Sequence, residues 1–282
     1  MYWYLYALVT AFILAIVTII QKRVLIKEHA AEVVVTLSIT NAVFSLPLLF
    51  IIDFQSITLV PVLIIGGISI LGAACQILNA RGLRHLDVST SSSLYISVPV
   101  ITTFFSFIFL GEKINITQIL GIFIVVFGIY LLERNTGESD ISKKHTNLKY
   151  FHFIFISILL SVISVLISRY LLVQYPIQPQ ALLLFSHLFL ALFLCIYFFF
   201  QYDGSMGIRR GFQSYGISII AISILTVLYR LNELQAIKLA SAGLVVTIVK
   251  SSTLFTTIIG GRIFREKKLF LKTILCVITI IG

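Results

Sequence analysis

Lys250 is the first residue that invites chemistry. It sits near the middle of the apolar run Leu239 to Ile263, about ten residues or 15 Å along a helix from the nearer end. Placing an ammonium that deep in hydrocarbon costs roughly 2.5–3.5 kcal/mol on insertion scales. Such a group belongs beside a cavity or a partner, where it can meet a substrate carboxylate or phosphate. The competing reading is a structural pair, or a stem that snorkels to the interface. Arg230 and Glu233 lie three apart in the preceding apolar run, so on a helix they share a face and can pair. They line a polar cavity or form a locally neutralised pair near a helix end. Glu233 is also the candidate carrier of a coupling proton, since a carboxyl can bind one and release it.

Other polar residues lie within apolar runs. His187 and Asn41 can line a cavity or bond across helices, and interhelical bonding is the plainer expectation. Tyr95 and the cluster Ser89, Ser91, Ser92 and Ser93 open the fourth apolar run. Small residues there allow close helix packing, and some hydroxyls could contact substrate. Pro99, in the same run, removes a backbone hydrogen bond and should kink the helix, opening a cavity or acting as a hinge. Glu112 and Glu266 fall in short loops after the fourth and ninth runs. Capping of the following helix suits them better than catalysis.

The elements that position these residues are about ten apolar runs that reach or approach the roughly 17–25 residues needed to cross a bilayer. They run approximately from Tyr2 to Ile20, Val33 to Ile52, Leu59 to Leu78, Val88 to Leu110, Ile116 to Leu132, Tyr150 to Leu172, Ala181 to Phe200, Tyr215 to Leu234, Leu239 to Ile263 and Leu269 to Gly282. The last is short for a crossing, so the helix either continues past residue 282 or packs as a partial span. The chain is 59% hydrophobic and 11% charged, against about 25% charged in soluble domains. The expected fold is an all-α integral membrane protein. The net charge of +10 does not point to nucleic acid, because most basic residues sit at the ends of spans, where they hold orientation. Cys75, Cys195 and Cys276 all lie in apolar runs and read as small packing residues, not as disulfides or metal ligands.

The polar stretch Glu133 to Lys149 reads as a flexible linker. It divides the chain into two halves of five spans, residues 1–132 and 150–282. Sliding the first half by 154 positions brings Ser97 onto Ser251, Thr102 and Thr103 onto Thr256 and Thr257, Glu112-Lys113 onto Glu266-Lys267, and Arg84 onto Lys238. The same shift pairs Gln76 and Asn79 with Arg230 and Glu233. Both halves thus place two polar residues on one face of the equivalent helix. Five spans per half give the halves opposite orientations, an inverted repeat.

The segments ARGLRHLDVSTSSSLYISVPVITTFFSFIFLGEKINITQILGIFIVVFGIYLL and LQAIKLASAGLVVTIVKSSTLFTTIIGGRIFREKKLFLKTILCVITIIG resemble the EamA-type domains of the drug/metabolite transporter superfamily. The shared pattern is a small-residue-rich helix, a mid-helix Pro, a Gly-Glu turn and a Gly-spaced final helix. The first half carries it with Pro99 and Leu110-Gly111-Glu112. The second departs from it, with Thr253 in place of the Pro and Arg265 in place of the Gly before Glu266. The resemblance implies two tandem five-helix domains around a central cavity, walled by spans one, three, four, six, eight and nine.

The resulting expectation is a multi-pass protein of the cell membrane, a monomer or homodimer, that moves a small metabolite such as an amino acid or organic anion by alternating access. Protons are the candidate coupling ion. Lys250, Arg230, Glu233, Gln76, Asn79, Tyr95 and His187 are the candidate substrate contacts. A lipid-carrier flippase of the same superfamily is the alternative, and an intramembrane enzyme is a weaker one. The sequence has no zinc-ligand spacing, no phosphate-cradling Gly loop, no Ser/His/Asp set and no nucleotide-binding domain. No enzymatic activity, metal, cofactor or nucleic-acid partner is therefore expected. Basic residues concentrate in the loops after the odd-numbered spans, which places both termini outside the cytoplasm. The resemblance implies both inside.

Overall fold

The computed structural model describes residues 2–54, 57–87, 91, 94–95, 97–112, 120, 123–124, 127, 141–201, 205–264 and 274. Among them, regular structure is helical and there is no strand. The helices are α1 (Trp3–Lys27), α2 (Ala30–Ser45) with a 3-10 extension Leu46–Phe50, α3 (Leu59–His85), α4 (Ser97–Leu110), α5 (Ile141–Gln174), α6 (Pro179–Gln201), α7 (Ser205–Leu239) and α8 (Ala242–Lys250). After α8 the chain continues as a short helix Ser252–Phe255, a π-turn Thr256–Gly260 and a last turn Gly261–Ile263.

Among the described residues, six segments are long and apolar enough to cross a membrane: Trp3–Lys27, Ala30–Phe50, Leu59–His85, Tyr150–Gln174, Pro179–Gln201 and Tyr215–Leu239. A helix satisfies its own backbone polar groups, which hydrocarbon cannot do. Large apolar side chains such as Phe12, Leu63, Phe199 and Ile217 project from the outer surface, as a lipid-facing wall requires. The expected fifth and tenth spans, Ile116 to Leu132 and Leu269 to Gly282, lie almost wholly outside the described residues.

One boundary is corrected. Residues 141–149 were expected within a flexible linker, yet they form the first turns of α5. Lys and Leu within them favour helix. In α7, Tyr215 interrupts the helix with φ −140° and ψ 27°, so the membrane segment starts there, where the apolar run begins.

The two halves of the chain are interleaved. α1 packs chiefly on α7, and α3 chiefly on α5; α2 packs on α7 and α6, and α3 also on α6. α4 packs against α8, where Gly243 lies so close that an added Cβ would stand 2.5 Å from Thr103 Oγ1 and 3.3 Å from Thr103 Cα. Small residues permit such backbone approach in membranes.

Two cations tie the ends of helices. Buried Lys22 of α1 donates from Nζ to the carbonyls of Leu83, Arg84 and Leu86 at the end of α3. Arg169 of α5 donates from Nη1 to the carbonyls of Ile237 (2.6 Å) and Lys238 (3.1 Å) at the end of α7. The last carbonyls of a helix have no partner inside it, and a cation there also meets the negative end of the helix dipole. Under the shift of 154, Leu83 and Arg84 correspond to Ile237 and Lys238. The acceptors in the two clamps therefore occupy equivalent positions.

Candidate functional site

The helices enclose a cavity of about 340 Å³. α1 contributes Leu14, Val17, Thr18 and Gln21; α3 contributes a face that includes Cys75, Gln76 and Asn79; Ser91, Tyr95 and Val98 come from the start of the fourth run. α5 adds Ser161, Ser164 and Ser168, α7 adds Tyr229, Arg230 and Glu233, and the ninth run adds Val246, Lys250, Ser252, Thr253 and Thr256. The second and seventh spans, absent from the expected wall, supply Asn41 and Ser186, His187 and Leu190. Lys250, Arg230, Glu233, Gln76, Asn79, Tyr95 and His187 thus share one cavity. The structure brings them together around one space.

Two interrupted helices deliver the central residues. Pro99 has no N–H for the carbonyl of Tyr95, four residues earlier. The Val98 N–H takes that carbonyl instead, at 3.1 Å. The regular helix α4 therefore starts only at Ser97, with Pro99 in its first turn, where a missing donor costs little. A kink in mid-helix was expected; the structure has a break, with Tyr95 in the turn before it. α8 breaks at the equivalent place without a proline. Lys250 is its last residue, Ser251 N–H bonds the carbonyl of Ile248, and Thr253 Oγ1 donates to the carbonyl of Lys250 at 2.8 Å. Thr253 stands where the shift places Pro99.

Lys250 Nζ lies 4.8 Å from the centroid of the Tyr95 ring, a cation–π distance. Among the described residues its ammonium has no ion-pair partner. The Tyr95 hydroxyl and Ser157 Oγ are 2.8 Å apart. Ser157 donates its own proton to the carbonyl of Ile154, so Tyr95 is the donor in their contact. This bond holds the ring under Lys250. Arg230 Nη1 and Glu233 Oε2 lie 2.7 Å apart across one turn of α7, the pairing that their spacing predicts. With all three groups ionised, the pair cancels and Lys250 leaves one net positive charge.

Among the described residues, the partners of Glu112 lie in the other half of the chain. Its carboxylate lies 3.3 Å from Arg169 Nε and 3.4 Å from the N–H of Ala242, at the start of α8. It joins the end of α4 to two helices of the other half. Gly111 before it has φ +64°, a left-handed conformation that glycine adopts without strain. Glu266 and Ser89, Ser92 and Ser93 lie outside the described residues. The serines of α5 escaped sequence reasoning. Ser157, Ser161, Ser164 and Ser168 recur at helical spacing, and that one-sided pattern was the available signal.

Interleaved apolar helices around a cavity lined in part by polar side chains define a multi-pass membrane protein. Residues 1–134 are similar to the EamA-like transporter family. No curated protein matches the chain in sequence. A solved crystal structure superposes with 97% of this chain and 95% of its own, at a TM-score of 0.65 and 13% sequence identity. At that identity the likeness extends to the fold alone.

Proposed function

We propose that the protein is a secondary transporter that carries a small metabolite bearing a carboxylate or phosphate, by alternating access through the cavity. The observation that carries this is Lys250, a cavity-wall amine that stands over the Tyr95 ring and has no ion-pair partner among the described residues. In a low-dielectric cavity an unneutralised cation attracts anionic cargo and repels lipophilic cations. Arg230 and Glu233 border the same space, and Glu233 is the proposed carrier of a coupling proton. Alternating access is attributed to two five-span repeats of opposite orientation, residues 1–132 and 150–282. Three observations support the repeat: equivalent helix breaks, equivalent clamp acceptors, and helix pairings preserved when the halves are exchanged. The cell membrane is the proposed location.

The test is uptake into proteoliposomes of matched anionic and cationic compounds by wild type, Lys250→Ala and Lys250→Arg. A hydrogen bond to a charged group contributes about 1.5–3 kcal/mol, so Lys250→Ala should weaken anion binding by roughly 10- to 100-fold. Lys250→Arg should retain most of it. Equal transport of both charge classes, unchanged by the substitution, would make Lys250 structural.

A further inference from the structure

One part of the cavity wall is chemically distinct from the Lys250 region. Asn41 of α2 and His187 of α6 each expose only 6% of their surface, and both line the cavity. Asn41 Oδ1 and His187 Nδ1 are buried without a hydrogen-bond partner among the described residues. The His187 ring lies against the backbone of Asn41. We assign the ring proton to Nε2, since Nδ1 is the nitrogen without a partner. The neutral ring then holds a lone pair on Nδ1. Asn41 Oδ1 is also an acceptor. Two buried acceptors thus sit on neighbouring residues with no donor to satisfy them. Buried polar atoms in folded proteins rarely remain so, and an unmet one points to an absent partner. Thr102 Oγ1 is also unpartnered, but it is not part of the cavity wall.

We infer that Asn41 and His187 form a donor-recognising pole of the cavity, which accepts hydrogen bonds from a primary amide or hydroxyl on the cargo. A neutral donor suits it better than an ammonium, because the Arg230 guanidinium acts electrostatically on His187 and Lys250 leaves the cavity positive. The pole rests on the transport reading for the anionic end of the cargo only. The proposed substrate class is a small carboxylate or phosphate with a hydroxyl or primary amide elsewhere on the molecule. A site built to hydrogen-bond a polar group rejects the analogue that lacks it, because its own buried groups are then left unpaired.

The experiment is titration calorimetry on the purified full chain in detergent with two pairs of probes. Succinamate and N,N-dimethylsuccinamate share the carboxylate and differ in amide N–H groups. Butyramide and N,N-dimethylbutyramide form the same contrast without a carboxylate. Wild type should bind succinamate at least about tenfold more tightly than its dimethyl counterpart, the scale of one lost hydrogen bond. Asn41→Leu should bring that ratio close to one, and so should His187→Phe. Lys250→Ala should weaken both carboxylates and leave the ratio in place. If a variant fails to fold, the other carries the test, and the wild-type ratio stands on its own. A wild-type ratio near one overturns the pole and means that water fills the space. If neither carboxylate binds, the anion reading fails and the butyramide pair decides the pole separately: discrimination within that pair supports it, and none overturns it.

Discussion

Glu233→Gln perturbs the cavity most cleanly, because it keeps the side chain's shape and removes its charge. Glu233 Oε2 stands 2.7 Å from Arg230 Nη1. Unit charges at that distance attract by roughly 6 kcal/mol at an effective dielectric of 20. The net contribution is smaller, since both groups lose water on burial. The Arg230 side chain also keeps 36% exposure against 9% for Glu233, which screens the pair. The substitution should therefore cost about 2–3 kcal/mol. In a chain of this size that lowers Tm by roughly 4–10 °C. The assay is thermal unfolding in detergent of wild type, Glu233→Gln, Arg230→Gln and the double variant. The double variant should recover part of the loss, because it leaves no charge unpaired. A wild-type Tm for Glu233→Gln, with strictly additive effects, would refute the pairing. A transport arm tests the second role: a pH gradient should no longer drive uptake by Glu233→Gln, while exchange of labelled for unlabelled cargo continues. An undiminished gradient response would remove Glu233 as the proton carrier.

Two further substitutions address the crossing of α4 with α8 and the helix break. Gly243→Ala drives a methyl into Thr103 and should cost about 1–3 kcal/mol, read as a lower Tm; adding Thr103→Ala should restore only part of it, because Thr103 Cα and Cβ stay in place. Pro99→Ala supplies an N–H for the Tyr95 carbonyl and should let the helix run through the break, turning Tyr95 away from Lys250; binding of an anionic probe should weaken while Tm holds or rises, and unaltered binding would show that the break does not position the ring.

The apolar runs were legible because each is long and nearly free of charge, and hydrocarbon permits few alternatives to a helix. Lys250, Arg230 and Glu233 were legible for the same reason: a charge deep in such a run has few places to go. The break before α4 was half legible, since Pro99 marks the chain but not on which side of it the backbone gives way. The matching break at Lys250 was not, because there Thr253 takes the Lys250 carbonyl through its side chain, and a threonine carries no such signal by itself. The start of α5 was misread because its polar residues have the composition of a linker and no apolar stripe to mark a helix. The role of Glu112 was hidden for another reason. Its partners Arg169 and Ala242 are distant in sequence, and only the interleaving of the halves brings them to it.

The two clamps bear on how such a chain can change over time. Lys22 and Arg169 grip main-chain oxygens, which every amino acid presents alike. Substitutions at Leu83, Arg84, Leu86, Ile237 or Lys238 leave the acceptors where they are. These joints are therefore blind to the residues they hold. Only the donor must stay cationic, and even there one half uses lysine and the other arginine. A frame fastened in this way lets most side chains drift without loosening, so kinship between halves, or between distant relatives, persists in the path of the backbone long after it fades from the letters.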